Sequence, residues 1–92
     1  MPYYVYVLIC KNGTFYTGYT RNVKARFKLH KKGKGAKYVR IHPPEKIVYE
    51  EKFETRSDAM KRERQIKRST HAEKQKLVNS KVQRRKRKSS QS

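Results

Sequence analysis

Eight consecutive apolar residues, Tyr3–Cys10 (YYVYVLIC), run straight into Lys11 and an Asn12-Gly13 pair. Val, Ile and Tyr at that density favour an extended chain. The run is apolar at odd and even positions alike, so both faces of the strand need cover, and a central, buried strand is predicted over Tyr3–Lys11. Asn-Gly tolerates positive φ and is a strong hairpin signal, which makes Thr14–Thr20 (TFYTGYT) the returning strand. The same run is far short of the roughly 20 apolar residues that cross a bilayer. No basic segment precedes it and no small-residue cleavage site follows, so no export leader is expected and the chain is expected to be cytoplasmic.

Further along, Asn22 is placed to cap a helix over Val23–Lys32 that stops at Gly33. Lys34-Gly35-Ala36-Lys37 and His42-Pro43-Pro44 read as loops, and Tyr38–Ile41 between them is too short to assign. Lys46–Phe53 (KIVYEEKF) reads as a third strand, and Ser57 as the cap of a helix over Asp58–Arg68. Thr70-His71-Ala72-Glu73 matches a capping box, in which hydroxyl and carboxylate each satisfy a backbone amide, and opens a helix ending near Asn79. The order ββαβαα predicts an α+β domain: a small three-stranded sheet, mixed or antiparallel, packed against helices. With 92 residues and 34% hydrophobic content, one small domain with a thin core is all the chain can build.

Charge narrows the partners. Lys and Arg number 26 against 7 acids, a net +19, which favours a polyanion: DNA, RNA or an anionic membrane. Residues 81–92 hold six basic residues, no acid and only Val82 as an apolar side chain, and are expected to form a disordered basic tail beside a domain at 1–80. Subtracting those six charges from 19 leaves +13 on residues 1–80, so the folded part is itself basic. No basic amphipathic helix with bulky aromatics appears, which argues against a membrane partner. The single Cys10 excludes an internal disulfide, and His30, His42 and His71 are too scattered for a structural zinc site.

Several side chains sit where local patterning would not put them. In the first helix Val23 and Phe27 mark the buried stripe; His30 lies about 20° and Arg26 about 60° from Val23 around the axis. Glu63, the one acid in Lys61–Arg68, falls toward Ala59, Met60 and Ile66 and needs a partner, either a basic side chain or a divalent cation. Tyr3, Tyr4, Tyr6, Tyr16 and Tyr19 crowd the first hairpin. On pattern alone the plain readings are favoured: a snorkelling Arg26, a core hydrogen bond for His30, an ion pair for Glu63 and packing for the tyrosines.

Taken in order, these residues resemble the GIY-YIG nuclease superfamily, specifically its small single-domain bacterial members, over about residues 3–79. Tyr4-Val5-Tyr6 stands for the first triplet and Tyr16-Thr17-Gly18 for the second. Arg26-Phe27-Lys28-Leu29-His30 matches the helix with the family's Arg and His, and Glu63 in Arg62-Glu63-Arg64 the later metal-binding Glu. Only Tyr6 of the first triplet is kept, and Thr17 replaces Ile in the second. Asn79 is the nearest match to a late Asn that some members carry, and no appended DNA-reading domain is evident. The joint match reverses the plain readings.

The resemblance implies a metal-dependent DNA endonuclease that hydrolyses phosphodiester bonds, in DNA repair, recombination or processing of branched or structured DNA. Its catalytic residues would be Tyr6, Tyr16, Arg26, His30 and Glu63, with Mg²⁺ or Mn²⁺ on Glu63. Arg26 would stabilise charge on the phosphate, and Tyr6, Tyr16 or His30 would serve as base, nearby cations lowering the phenol pKa. Lys34, Lys37, Arg40, Arg84, Arg85, Lys86, Arg87 and Lys88 are expected to meet phosphates. The alternative is a non-catalytic nucleic-acid-binding protein that holds DNA or RNA on the same basic surface. A plain two-residue turn at Asn12-Gly13 would pair Tyr6 with Tyr19 and send Tyr16 to the other face. The resemblance needs Tyr6 and Tyr16 at one site, so a one-residue bulge with left-handed Gly13 is expected.

Overall fold

The structure, a computed structural model, describes residues 2–80. Strand β1 (Tyr3–Cys10) takes the middle of a three-stranded sheet between β2 (Phe15–Thr20) and β3 (Pro44–Phe53). Both pairings are antiparallel. The central position follows from the eight-residue apolar run: Val5, Val7 and Leu8 are fully buried and Tyr6 nearly so. Odd positions Val5 and Val7 pack with Phe15, Tyr49, Ala59 and Ile66; even positions Tyr6 and Leu8 pack with Val23 and Val39. The sheet therefore carries helices on both faces. On the even face lie α1 (Val23–Lys31) and α2 (Lys37–Ile41). On the odd face lie α3 (Arg56–Arg68) and α4, helical over residues 71–80.

The hairpin turns on a bulge, as the shared site requires. Gly13 donates to the Cys10 carbonyl at 2.9 Å, Cys10 donates to the Thr14 carbonyl at 2.8 Å, and Gly13 sits at φ 86°. This is a three-residue loop, a turn closed by a left-handed residue. It pairs Tyr6 with Gly18 and Leu8 with Tyr16, so Tyr6 and Tyr16 share a face. Thr17 points to the other face, 3% exposed, with no partner for its hydroxyl among the described residues. Thr17, where the resemblance expects Ile, therefore lies on the face opposite Tyr6 and Tyr16.

Helix ends follow local chemistry. Asn22 Oδ1 accepts the Ala25 amide at 3.0 Å and starts α1. Its end is a Schellman cap, with Gly33 donating to the His30 carbonyl and Lys34 to the Leu29 carbonyl. Thr70 and Glu73 form the expected capping box, each accepting the other's amide.

Three boundaries differ from the sequence reading. The cap of α3 is Thr55, whose hydroxyl accepts the Asp58 amide at 3.1 Å, so the helix opens at Arg56 and Ser57 lies inside its first turn. Residues 37–41 do form a helix, because a single turn suffices to bury Val39. Strand β3 opens at Pro44, which pairs with Cys10 at a sheet edge where its missing N–H costs no ladder bond.

Candidate active site

The free edge of β2 borders an open cleft of about 550 Å³. Side chains from helices on both faces of the sheet reach it. Tyr6, Tyr16 and Gly18 reach it from the hairpin, Arg26 from α1 and Glu63 from α3.

Tyr6 crosses above Gly18 to get there. A Cβ at Gly18 would lie 2.6 Å from the Tyr6 hydroxyl oxygen and 2.9 Å from Cζ, so only glycine leaves the ring room. The Tyr6 hydroxyl meets His30 Nε2 at 3.0 Å. The other ring nitrogen of His30, Nδ1, faces the Lys34 carbonyl at 3.4 Å, brought back under the helix end by the Schellman turn. That carbonyl can only accept, so Nδ1 carries the proton and Nε2 accepts from Tyr6. Tyr16 stands edge-on to the His30 ring at 5.5 Å and 6.4 Å from the Tyr6 ring.

Electrostatics here are set first by burial. Burial raises the Tyr6 pKa well above its ordinary value; Tyr16 adds to this and Arg26 opposes it. Tyr16 is raised by burial and by Glu63, again against Arg26. The expected lowering of the phenol pKa by nearby cations is thus corrected, because loss of solvent outweighs the single guanidinium. His30 is lowered, mainly by burial, with the Lys34 carbonyl opposing, and stays neutral at pH 7.

Glu63 is half-buried, its side chain 17% exposed, and pairs with Lys67 one turn on at 3.5 Å. The ion pair predicted by simple patterning is present, yet the carboxylate still lines the cleft. Among the described residues no three His, Cys, Asp or Glu side chains gather as a ligand set. A single carboxylate on open space fits an ion such as Mg²⁺, which keeps most of its waters.

All five expected catalytic residues therefore lie around one cleft: Tyr6, Tyr16, Arg26 and Glu63 line it, and His30 stands behind Tyr6. Asn79 does not join them. It bonds Gln75 on α4 and borders a separate depression with Phe15 and Lys46. Lys34, Lys37 and Arg40 are exposed and do not line the cleft. Arg84, Arg85, Lys86, Arg87 and Lys88 fall outside the described residues, as does the expected tail. The sequence reading missed Tyr3, Tyr19, Arg21 and Arg56, which also line the cleft. The hairpin register held the signal for two of them: continued one step past the Tyr4–Thr20 pair, it sets Tyr3 beside Arg21. Arg56 was hidden by placing the helix cap two residues late.

The α+β fold thus gathers phenols, a guanidinium, an imidazole and a carboxylate around one cleft, and the family that its sequence matches is one of nuclease-type catalytic domains. Residues 2–77 match the family described as the GIY-YIG catalytic domain, and the chain belongs to that family. It is 43% identical over 76 residues to a UPF0213 protein of Staphylococcus aureus, covering 83% of this chain and 93% of the relative. A UPF0213 protein of Staphylococcus saprophyticus matches to the same extent. Among solved structures, the solution structure of UPF0213 protein BH0048 from Bacillus halodurans is 43% identical with a TM-score of 0.58, covering 88% of this chain and 86% of that one. Protein EF2693 from E. faecalis is 40% identical with a TM-score of 0.60, covering 87% and 85%.

Proposed function

We propose that this chain is a divalent-metal-dependent endonuclease that hydrolyses phosphodiester bonds in DNA, with branched or otherwise structured DNA of repair and recombination as its substrate class. The observation that carries this is the meeting of Arg26, Glu63 and the Tyr6–His30 pair at one open cleft. Arg26 offers the planar fork of donors that fits a phosphate and stabilises the charge added as water attacks. Glu63 would hold Mg²⁺ or Mn²⁺, which when bound supplies Lewis-acid stabilisation at the phosphate.

Burial keeps Tyr6 protonated, so it acts as a relay and not as a free phenolate. Its oxygen takes a proton from the attacking water while its own proton passes to His30 Nε2, 3.0 Å away. The acceptor is ready because His30 is neutral, with Nδ1–H on the Lys34 carbonyl. Tyr16 borders both rings and walls the relay from one side.

We place the protein in the cytoplasm. No helix among the described residues is long and apolar enough to cross a membrane, and the one cysteine, Cys10, is a buried free thiol.

The test is cleavage of branched, flapped and linear DNA with Mg²⁺ or Mn²⁺. Glu63→Ala and Arg26→Ala are each expected to lower cutting at least a hundredfold, in line with loss of one charge-stabilising group. DNA binding should persist on the remaining basic surface. Equal background cleavage by wild type and both variants would overturn the enzymatic reading and leave a nucleic-acid-binding module, whose preference competition binding between matched RNA and DNA would reveal.

A further inference from the structure

Two arginines at the cleft are anchored by phenols. Arg21, directly after β2, donates from Nη2 to the Tyr3 hydroxyl at 2.8 Å, with its guanidinium carbon 5.1 Å from the centre of the Tyr3 ring. Arg56, the first residue of α3, donates from Nε to the Tyr19 hydroxyl at 3.3 Å. Both line the cleft that Arg26 and Glu63 share. Neither forms an ion pair with a carboxylate among the described residues.

The anchors are themselves fixed. Tyr3 and Tyr19 sit on the odd face of the sheet, diagonal to one another across β1 and β2, and their rings pack against the core formed by Val5, Val7 and Ala59. Their hydroxyls emerge at the rim. A phenol is neutral, so it orders a guanidinium without cancelling its charge, and it occupies only one of five N–H donors. An exposed arginine is ordinarily free to sample many rotamers. Two arginines steered toward one cleft, uncompensated and with open donors, suit a ligand with dispersed negative charge and paired oxygens.

We propose that Arg21 and Arg56 form a second subsite, which grips backbone phosphates of the nucleic acid flanking the phosphate that Arg26 receives. This rests on reading the cleft as a nucleic-acid site. Guanidinium–phosphate contacts carry no base information, so the subsite positions any sequence equally. It also assigns the hairpin's tyrosines two duties. Tyr6 and Tyr16 serve the reacting phosphate, while Tyr3 and Tyr19 hold the hands that align the strand.

The test is equilibrium binding of the full chain, in a Glu63→Gln background that prevents cutting, to a short fluorescent duplex DNA over a range of salt. Arg21→Gln/Arg56→Gln should reduce the slope of log affinity against log salt by about 1.8, at about 0.9 for each phosphate no longer neutralised. A control removes two charges from exposed positions on α1, Lys24→Gln/Lys28→Gln, and should change the slope by less than half as much. Tyr3→Phe/Tyr19→Phe keeps every charge and loosens the arginines. It should leave the slope alone and weaken binding at least roughly fivefold, the cost of ordering two freed side chains. Arg21 and Arg56 are exposed, so their replacement should not alter the melting temperature. A slope change no greater than that of the lysine control would overturn the proposal, as would no loss of affinity in the tyrosine variant. Cleavage by the wild-type chain is scored separately. Cutting with an unchanged slope sinks the subsite and spares the nuclease, whereas a reduced slope without cutting sinks the nuclease and spares the subsite.

Discussion

His30 owes its charge state to its surroundings. It is 1% exposed, with the Tyr6 hydroxyl on one nitrogen and the Lys34 carbonyl facing the other. Burial lowers its pKa from an ordinary value of 6.5. The sign of the linkage follows. Above pH 6.5 the imidazole is neutral in folded and unfolded chains, and its buried contacts contribute in full. Below that value the unfolded chain takes up a proton that the folded chain resists, so this contribution is lost as pH falls through the lowered folded value. Thermal melts from about pH 7 to about pH 5 should therefore show the wild type losing more stability than His30→Gln, which has no group to titrate in that window. Identical pH dependence in the two proteins would mean that His30 is not held neutral. The same relay makes cleavage tolerant of mild acid, with the acidic limb of its pH profile below 6.5.

At the scale of elements the first hairpin decides whether a site exists at all, and two glycines in it do different work. Gly13 supplies φ 86° with nothing within 4 Å of where a Cβ would stand. Gly13→Ala should therefore cost only left-handed strain, about 1–2 kcal/mol. That is roughly 4–8 °C of melting temperature per kcal/mol in a domain this small, with activity retained below the transition. Gly18→Ala meets a hard contact instead, because its Cβ would stand 2.6 Å from the Tyr6 oxygen that bonds His30. It should lower cleavage by on the order of a hundredfold, the worth of a positioned proton acceptor, while DNA affinity stays within a few-fold. Melting curves and single-turnover cleavage on both variants check this, and equal loss of activity in the two would refute the division of labour.

Much of this element-scale design was legible in the sequence. The β1 run, the Asn22 cap, the stop at Gly33 and the Thr70–Glu73 box each depend on neighbours within four residues. The face shared by Tyr6 and Tyr16 was legible only through the family resemblance, which required the bulge that a plain reading of Asn12-Gly13 does not supply. What was not legible depends on contacts between distant segments. Arg56 meets Tyr19 across 37 positions and Arg21 meets Tyr3 across 18, and neither pair leaves a periodic trace. The burial of Tyr6 that overrules Arg26 is likewise a property of packing, invisible while helix and hairpin are read apart.

For the whole molecule the deciding quantity is how a net charge of +19 is divided between residues 1–80 and residues 81–92. Among the described residues the core closes by itself: Val78 of α4 is 7% exposed and packs with Val5, Val7 and Ile66. Ending the chain after Ser80 removes six positive charges, keeps every core residue named above, and leaves +13 on residues 1–80. We propose that the basic segment at residues 81–92 adds affinity for nucleic acid and nothing to the stability of the fold. Truncation after Ser80 should leave the melting temperature unchanged. It should weaken binding and flatten its salt dependence by about 0.9 for each phosphate that the segment had neutralised. Because Arg26, Glu63 and the relay remain, the rate of cutting at saturating DNA should persist while the concentration needed to saturate rises. A large fall in melting temperature would mean that residues 81–92 take part in the fold. A fall in the saturated rate at unchanged affinity would mean that they act in the reaction, and either result would remove the separation between a catalytic body and an electrostatic arm.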